Sequence, residues 1–217
     1  MKLIALATLC GSFFWLFSCT NNDDNSDKKT IARNVQFSSD SSWEVYDSSA
    51  TLVGNAQPVC LNSASPANCP SNAVIYAAPF TGWNADLSSI QNAFWVWAPN
   101  INGDSPMASL AQYSFEKTIS LAGEPESGIV YMAADDSAEL YVNDNLVGAI
   151  GSISNNSSAS IAQSTLQNFD ILSYLHTGDN FIQIKSVNGP DSFANVTNAT
   201  YSQNPAGVVF GGSITQK

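Results

Sequence analysis

The sequence predicts an all-β domain, either a sandwich or a barrel, and two observations support this prediction. Short runs of alternating apolar and polar residues recur along the chain, separated by stretches rich in Gly, Asn, Asp, Ser and Pro. Helical periodicity, with apolar residues at every third or fourth position, is almost absent. Residues 34–217 have the size of one domain and are numerous enough to bury a hydrophobic core. We therefore expect a single β domain over 34–217.

The expected strands follow the alternating runs in chain order. The clearest runs cover residues 92–98, 112–120, 128–134, 138–142, 146–150, 180–187 and 207–214. Less regular runs lie at 42–46, 51–53 and 73–77. Asn143-Asp144-Asn145 predicts a hairpin turn, because Asn and Asp tolerate positive φ. Residues 151–164 are expected to form a long surface loop, and 86–92 and 169–175 one helical turn each.

The first 18 residues have the pattern of an export signal. Lys2 supplies a positive charge, an apolar run follows, and a small residue precedes Cys19. The run is shorter than the roughly 20 apolar residues that cross a membrane. Residues 16–19 resemble a bacterial lipobox, although Phe17 stands where a small residue is usual. We expect a lipoprotein signal peptide over 1–18 and a lipid on Cys19; the alternative is an ordinary signal peptide with a chance cysteine.

Residues 19–33 are polar and charged and contain no aromatic side chain. A segment of this composition buries too little apolar surface to order itself, so we expect a flexible tether. Thr20 follows Cys19, in place of the Asp that resembles an inner-membrane retention signal. The predicted location is therefore the cell envelope, with the lipid anchored in the outer membrane.

The charge balance excludes one class of partner. The chain carries 18 Asp and Glu against 7 Lys and Arg, a formal net charge of −11. Four of the seven basic residues precede Val35, so the predicted domain is more acidic than the whole chain. An acidic surface repels phosphate backbones, which excludes nucleic-acid binding. An acidic polysaccharide or an anionic membrane face is a poor partner for the same reason, unless a cation bridges the two surfaces.

Two cysteines, Cys60 and Cys69, belong to the predicted domain. They bracket a loop whose Pro, Ser and Asn residues favour a reversal of the chain. In an oxidising compartment a pair at this spacing is expected to form a disulfide rather than a metal site, and no histidine lies nearby in the sequence. Closing so short a loop stabilises a fold by roughly 2–3 kcal/mol in the chain-entropy model.

Five segments together resemble a known family of β-sandwiches. They are Phe94-Trp95-Val96-Trp97 and residues 115–121, 132–143, 169–182 and 204–208. In order and pattern they are similar to the galactose-binding-domain-like module, a jelly roll of bacterial surface proteins and an accessory domain of glycoside hydrolases. Asp144 stands where the family usually has Gly, and residues 35–92 have no counterpart in it. The resemblance implies a jelly-roll sandwich, but such modules bind sugars, peptides, membranes or nothing, so it implies no single function.

Asp135-Asp136 has three interpretations. The resemblance places the pair at a turn between core strands, where carboxylates accept backbone N–H bonds, and we favour this structural role. The second interpretation is that the two carboxylates bind a calcium ion, because nearby Asn and carbonyl oxygens could complete its six or more ligands. Acid–base catalysis is the third. His176 lies in a predicted surface loop without a nucleophile motif nearby, so we expect no catalytic residues.

The tryptophans divide into two groups. Trp95 and Trp97 lie on one face of a strand whose other face is also apolar, so both are expected in the core. Trp83 follows Gly82 in a turn-like context, where an exposed indole can stack on a sugar ring. Trp43 lies between polar residues and is a second candidate of this kind. For Trp83 and Trp43, packing in the core is the alternative interpretation.

These observations predict a lipid-anchored, non-catalytic binding module whose ligand is a neutral glycan. The candidate ligand-binding residues are Trp83, Trp43, Asp135, Asp136 and Asn143, the last three being expected at one end of a hairpin. An indole would stack on the sugar while carboxylates and amides bind its hydroxyls. No cofactor is expected, and a structural calcium ion is left open. The alternative is a structural or adhesive lipoprotein that binds another surface protein. Trp83→Ala is expected to weaken glycan binding and to leave the fold intact.

Overall fold

Two largely antiparallel β-sheets pack face to face around a hydrophobic core, which confirms the predicted all-β sandwich. In the computed structural model of the chain, the described residues are 32–61, 73–76, 83, 86–107, 109–193 and 195–217. They belong to one compact unit, Ile31–Lys217. The predicted signal peptide and the predicted tether up to residue 31 lie outside the described residues.

The described residues form thirteen strands and one α-helix. The strands are β1 (Arg33–Ser38), β2 (Glu44–Asp47), β3 (Leu52–Asn55), β4 (Gln57–Leu61), β5 (Val74–Tyr76), β6 (Val96–Trp97), β7 (Gln112–Leu121), β8 (Pro125–Asp135), β9 (Ser137–Val142), β10 (Asn145–Gly151), β11 (Gln167–Asp170), β12 (Gly178–Val187) and β13 (Gly207–Gln216). The helix α1 (Asn156–Ser164) follows β10, and 3-10 turns lie at Leu172–Tyr174 and Asp191–Phe193. Among these elements, no helix is long and apolar enough to cross a membrane.

The long strands lie at the centres of the two sheets. The first sheet has the strand order β11-β8-β13-β6-β4-β5, and β1 pairs with β13 beside β6. The second has the order β10-β9-β12-β7-β2-β3. The registers Phe210↔Met132 and Ile184↔Phe115 align buried side chains across neighbouring strands. Because side chains alternate along a strand, each sheet presents one row of such residues to the other.

Aromatic rings fill the space between the sheets. Trp43, Trp97, Phe115 and Phe210 are completely buried. The ring of Trp43 meets Phe210 edge-on at a centroid distance of 4.6 Å, and Phe115 lies 6.3 Å from Phe210 and 6.1 Å from Trp97. These distances are those of favourable aromatic pairs. The core position predicted for Trp97 is confirmed, and Trp95, which is 8% exposed, confirms its own prediction.

The hairpin and the strands around it agree with the sequence prediction, whereas the long surface loop does not. Asn143 and Asp144 have φ of 50° and 64° in the turn between β9 and β10. The 3-10 turn at Leu172–Tyr174 confirms the helical turn expected within 169–175. Residues 151–164 contain α1, which Asn155 caps by accepting a hydrogen bond from the Ser158 backbone N–H. The helix packs on β8 and β10 and buries two alanines, so tertiary contact rather than periodicity stabilises it.

Three strands were not anticipated, and one segment is less extended than its pattern indicates. β4 and β11 lack a regular alternation, whereas residues 34–38 of β1 do alternate, and β1 begins at Arg33, the last residue of the predicted tether. Within the run 92–98 only Val96–Trp97 is strand. The preceding residues cross the outer face of the first sheet instead, and that crossing shapes the candidate site.

Candidate functional site

Trp43 is a core residue, which corrects its expected role as an exposed platform. Its side chain is completely buried between the sheets. The indole Nε1 donates to the Ser38 carbonyl oxygen at 2.8 Å. The polar neighbours of Trp43 in the sequence belong to the turn before β2, while the indole points inward and packs on Phe210. An indole in this position cannot stack on a sugar.

Trp83 is also buried, so the expectation of an exposed loop indole is wrong. Only 7% of the residue is exposed. Its ring stacks on Trp95 with a centroid distance of 4.6 Å and an interplanar angle of 12°. Its Nε1 donates to the Asp135 carboxyl at 2.7 Å. Because the indole is a packed and hydrogen-bonded group, Trp83→Ala is now expected to disturb the fold locally.

Asp135 and Asp136 lie at the corner between β8 and β9, and both are almost completely buried. Asp135 accepts hydrogen bonds from Trp83 Nε1 on one oxygen and from Gln163 Nε2, at 3.3 Å, on the other. Asp136 accepts the backbone N–H of Gly189 at 2.5 Å. The pair therefore fastens the segment at Trp83, the helix α1 and the chain after β12 to one corner of the sandwich. This arrangement matches the structural role that the sequence favoured for the pair.

Burial also perturbs the acidity of this pair. Loss of hydration raises the pKa of Asp135 well above its usual range, and the neighbouring charge of Asp136 adds to the effect. Burial raises the pKa of Asp136 as well, although hydrogen bonds from Asp135 and from Gly189 oppose this shift.

The calcium ion left open by the sequence stays a prediction. Within the described ranges, no group of three or more His, Cys, Asp or Glu side chains is placed to hold a metal ion. Asn188, which precedes Gly189, has a buried side-chain amide whose oxygen and nitrogen have no hydrogen-bond partner in the described protein. An amide oxygen is of the type that calcium prefers, and the next residue, Gly189, donates its backbone N–H to the Asp136 carboxyl.

Asn143 is separated from the two aspartates, so the expected cluster does not form. It follows β9, whereas Asp136 precedes that strand, and six residues of strand span about 20 Å. The amide of Asn143 is fully engaged in structure. It donates to the Tyr174 carbonyl at 2.8 Å and to the Asn180 side chain at 3.0 Å, and it accepts the Phe181 N–H at 2.8 Å.

A groove of about 300 Å³ lies on the outer face of the first sheet, away from these residues. Tyr131 of β8 with Gly212 and Ser213 of β13 forms its floor. Residues 36–38 of β1 form one wall, and residues 88–92 form the other. None of the described residues that line it is charged, and their polar side-chain groups are hydroxyls of Ser and Tyr and amides of Gln and Asn. Tyr131 is half-buried and Gln36, Gln91 and Asn92 are exposed.

The wall of the groove belongs to a segment that we call the arch, defined as Trp83 and residues 86–95. Its ends meet in the stacked pair Trp83–Trp95, and its tip lies against β13, where Ile90 is buried. Gly207 and Gly211 make room for it. A Cβ on Gly207 would lie 2.8 Å from the Trp83 ring, and one on Gly211 would lie 3.0 Å from Ile90. The two glycines are four residues apart on one strand and therefore share its outer face.

A second depression, of about 340 Å³, lies on the outer face of the other sheet. Its lining includes the charged side chains of Glu139 and Lys185. The Lys185 ammonium already lies 4.4 Å from the centre of the Tyr141 ring, and the Tyr141 hydroxyl donates to Glu139. This mixed, internally satisfied lining is less suited to an uncharged ligand than the groove under the arch.

The other predicted residues divide between confirmed and untested positions. His176 is exposed, as expected for a surface histidine. Cys60 lies in β4, but Cys69 lies outside the described residues, as does Cys19. The Cys60–Cys69 disulfide and the lipid on Cys19 therefore stay predictions.

Sequence reasoning missed the residues of the groove, although one signal for them was present. Glycine within a strand indicates close approach of another part of the chain, and β13 contains glycines at positions 207, 211 and 212. This signal predicts that something packs on the strand but does not identify what packs there. Tyr131 and Gln91 are common residue types in ordinary contexts, and only the tertiary structure brings them together.

Comparison with known proteins gives no family for the chain. No protein-family model matches it, and no curated protein sequence matches it. The solved structures that resemble it include glycoside hydrolases. One is the α-L-rhamnosidase of Streptomyces avermitilis complexed with L-rhamnose, with 18% identity over 56% of this chain and 10% of that chain, at a TM-score of 0.42.

Two further similar structures are β-glucuronidases. The FMN-binding enzyme from Facaelibacterium prausnitzii L2-6 has 14% identity over 84% of this chain and 23% of that chain, at a TM-score of 0.38. The enzyme of an uncultured Clostridium sp. has 9% identity over 87% of this chain and 30% of that chain, at a TM-score of 0.39. The chain thus spans less than a third of the length of each of these three proteins. Likeness at this level is too low to assign a function.

Proposed function

We propose that this protein is a non-catalytic binding module and that the groove under the arch binds a neutral glycan. The observation that carries the proposal is the lining of the groove, in which uncharged hydroxyl and amide groups surround a half-buried tyrosine ring. A sugar presents hydroxyls that such groups bind and an apolar ring face that stacks on an aromatic side chain. Placement in the galactose-binding-domain-like family, which the sequence resembles, is part of the same proposal.

Charge supports a neutral ligand over an acidic one. The lining of the groove has no cation to pair with a carboxylate or sulfate, and Lys117, Lys185 and Lys217 are the basic residues of the chain after Arg33. The acidic surface of the domain repels anionic chains. Amide side chains can both donate and accept, so Gln36, Gln91 and Asn92 suit hydroxyl-bearing ligands in particular.

Tyr131→Ala should weaken glycan binding by about 1–3 kcal/mol, the range for loss of an aromatic anchor at a binding site. A glycan array, with and without calcium, identifies a ligand for the wild type, and calorimetric titration then compares the variants. Gln91→Ala should weaken binding less, because one polar contact to a solvated site is lost.

Tyr46→Ala is the matched control, because Tyr46 is a half-buried tyrosine on the other sheet. Equal loss of affinity in the Tyr46 and Tyr131 variants would place binding elsewhere than the groove. If the wild type binds no glycan on the array, the proposal fails and binding to another surface protein becomes the leading function.

The proposal includes export and lipid anchoring, for which the sequence of residues 1–19 is the support. Cys19→Ala should leave the precursor uncleaved by lipoprotein signal peptidase. Metabolic labelling with a palmitate analogue should then give no labelled product, whereas Cys10→Ala, a control in the same segment, should be labelled as the wild type is. Labelling of the Cys19→Ala protein at the wild-type level would refute lipidation at Cys19. An outer-membrane location is tested by fractionation of the same cells.

A further inference from the structure

We propose that the hydrogen bond between Trp83 and Asp135 is a lock that positions the arch, and that this positioning sets the affinity of the groove. Trp83 and Asp135 are then positioning residues, which act on a ligand through the wall at 88–92 without touching it. The effect on affinity rests on the proposed glycan function, whereas the positioning of the arch does not.

The lock closes the base of the arch. Twelve positions separate Trp83 from Trp95, yet their rings are parallel and 4.6 Å apart. The two indoles lie on the outer face of β13 at Gly207, whose missing side chain leaves room for them. A surface loop whose two ends are in contact is a compact unit. Such a unit moves either as a whole or by separation of its two ends, here Trp83 and Trp95.

Asp135 is anchored independently of the arch. It is the last residue of the central strand β8, which pairs with β13 and β11. Its second carboxyl oxygen accepts Gln163 from α1, and the adjoining Asp136 accepts Gly189. The hydrogen bond of 2.7 Å to Trp83 therefore connects the arch to the end of a central strand of the sandwich. Because this bond is buried, removing the donor leaves a desolvated Asp135 oxygen without it, which is costly.

The other end of the arch is fastened differently. The Phe94 N–H donates to the Ser39 carbonyl at 2.9 Å, and the Ser39 hydroxyl donates to the Phe94 carbonyl at 2.6 Å. Val96 then enters the first sheet beside β13. The Phe94 end is thus part of the sheet hydrogen bonding, while at the Trp83 end the indole stacks on Trp95 and donates to Asp135. Loss of the lock should release the Trp83 end and the tip before the Phe94 end.

Movement of the tip would change the groove directly. Residues 88–92 form one of its walls, and Ile90 holds that wall against Gly211 of β13. A binding site whose wall is already in place avoids the cost of ordering it when the ligand binds. Weakening the lock should therefore lower affinity even though every residue that faces the ligand is unchanged.

The test combines amide hydrogen exchange with glycan titration on four variants of the full domain. Trp83→Phe keeps a ring to stack on Trp95 but removes the donor, and Asp135→Ala removes the acceptor. Both should raise exchange at 86–95 and weaken glycan binding about tenfold, as expected when a preorganised wall becomes mobile. Asp135→Asn keeps an acceptor oxygen and should restore both properties towards wild type. Gln163→Ala removes the other bond to Asp135 and should leave the arch protected.

The outcomes distinguish the lock from a general stabilising role and from failure of the proposed function. In one outcome, Trp83→Phe and Asp135→Ala raise amide exchange in all strands and leave the glycan affinity of the folded protein unchanged. In that case Trp83 and Asp135 are ordinary core residues and the lock is refuted. Unchanged exchange at 86–95 in Trp83→Phe refutes it as well. If the wild type binds no glycan but the arch exchanges faster in Trp83→Phe and Asp135→Ala, the lock stands and the glycan function fails.

Discussion

Trp43→Ala should destabilise the domain by about 3–5 kcal/mol, the cost of truncating a large buried aromatic residue. The indole is completely buried, meets Phe210 edge-on and donates to the Ser38 carbonyl. Its removal leaves a cavity between the sheets and an unpaired carbonyl oxygen. Urea denaturation followed by circular dichroism measures the change in the free energy of unfolding.

Trp43→Phe and Tyr46→Ala are the controls for this experiment. Phenylalanine refills part of the cavity and should recover part of the lost stability. Tyr46 is half-buried on the outer face of the second sheet, so its truncation should cost far less. A Trp43→Ala protein with wild-type stability and reduced glycan affinity would contradict the structure and return Trp43 to a ligand-binding role.

Acidification from about pH 8 to about pH 5 should stabilise the folded domain through Asp135 and Asp136, each of whose folded-state pKa is raised by burial. When the pKa of a group is higher in the folded state than in the unfolded state, protonation favours the folded state. The stabilisation is complete below the unfolded-state pKa and is lost as the pH rises through the folded-state pKa. Each unit of difference between the folded and unfolded pKa is worth about 1.4 kcal/mol. A change of 1 kcal/mol shifts the Tm of a domain of this size by roughly 2–4 °C.

The double variant Asp135→Asn/Asp136→Asn isolates this effect. Thermal unfolding of both proteins across this pH range, in the presence of a chelator, should show a flatter pH dependence for the variant. The comparison removes the contribution of every other group that titrates in this range. Asp86, whose pKa is lowered by hydrogen bonds from Ser88, is ionised in both the folded and the unfolded state above about pH 5 and adds no slope there. Identical pH dependence in the two proteins would show that the pair does not titrate with folding. Added calcium, if it binds ionised Asp135 and Asp136, should stabilise the wild type more at pH 8 than at pH 5.

The strands were predictable where one face of a sheet is buried and the other is solvated. β7, β9 and β12 show this alternation, and each lies within one or two residues of its predicted range at both ends. β4 was not anticipated because Gln57–Leu61 has no regular alternation. β1 was not anticipated, although its residues 34–38 alternate, because the strand begins within the segment interpreted as a tether. The helix α1 was missed because its Ser-rich sequence has little periodicity, and its two buried alanines acquire meaning only from the strands beneath them.

The candidate site shows the same division. The residue pattern by itself determined the all-β class, the burial of Trp95 and Trp97 and the turn at Asn143. Only the tertiary structure decided that Trp43 and Trp83 are buried, because burial depends on what covers a residue and not on its neighbours in the chain. Trp83 has the sequence context of a loop and is buried because Gly207 admits it to the sheet and Asp135 binds its nitrogen. The groove at Tyr131 is likewise formed by strands and a loop far apart in the sequence, whose proximity no local pattern encodes.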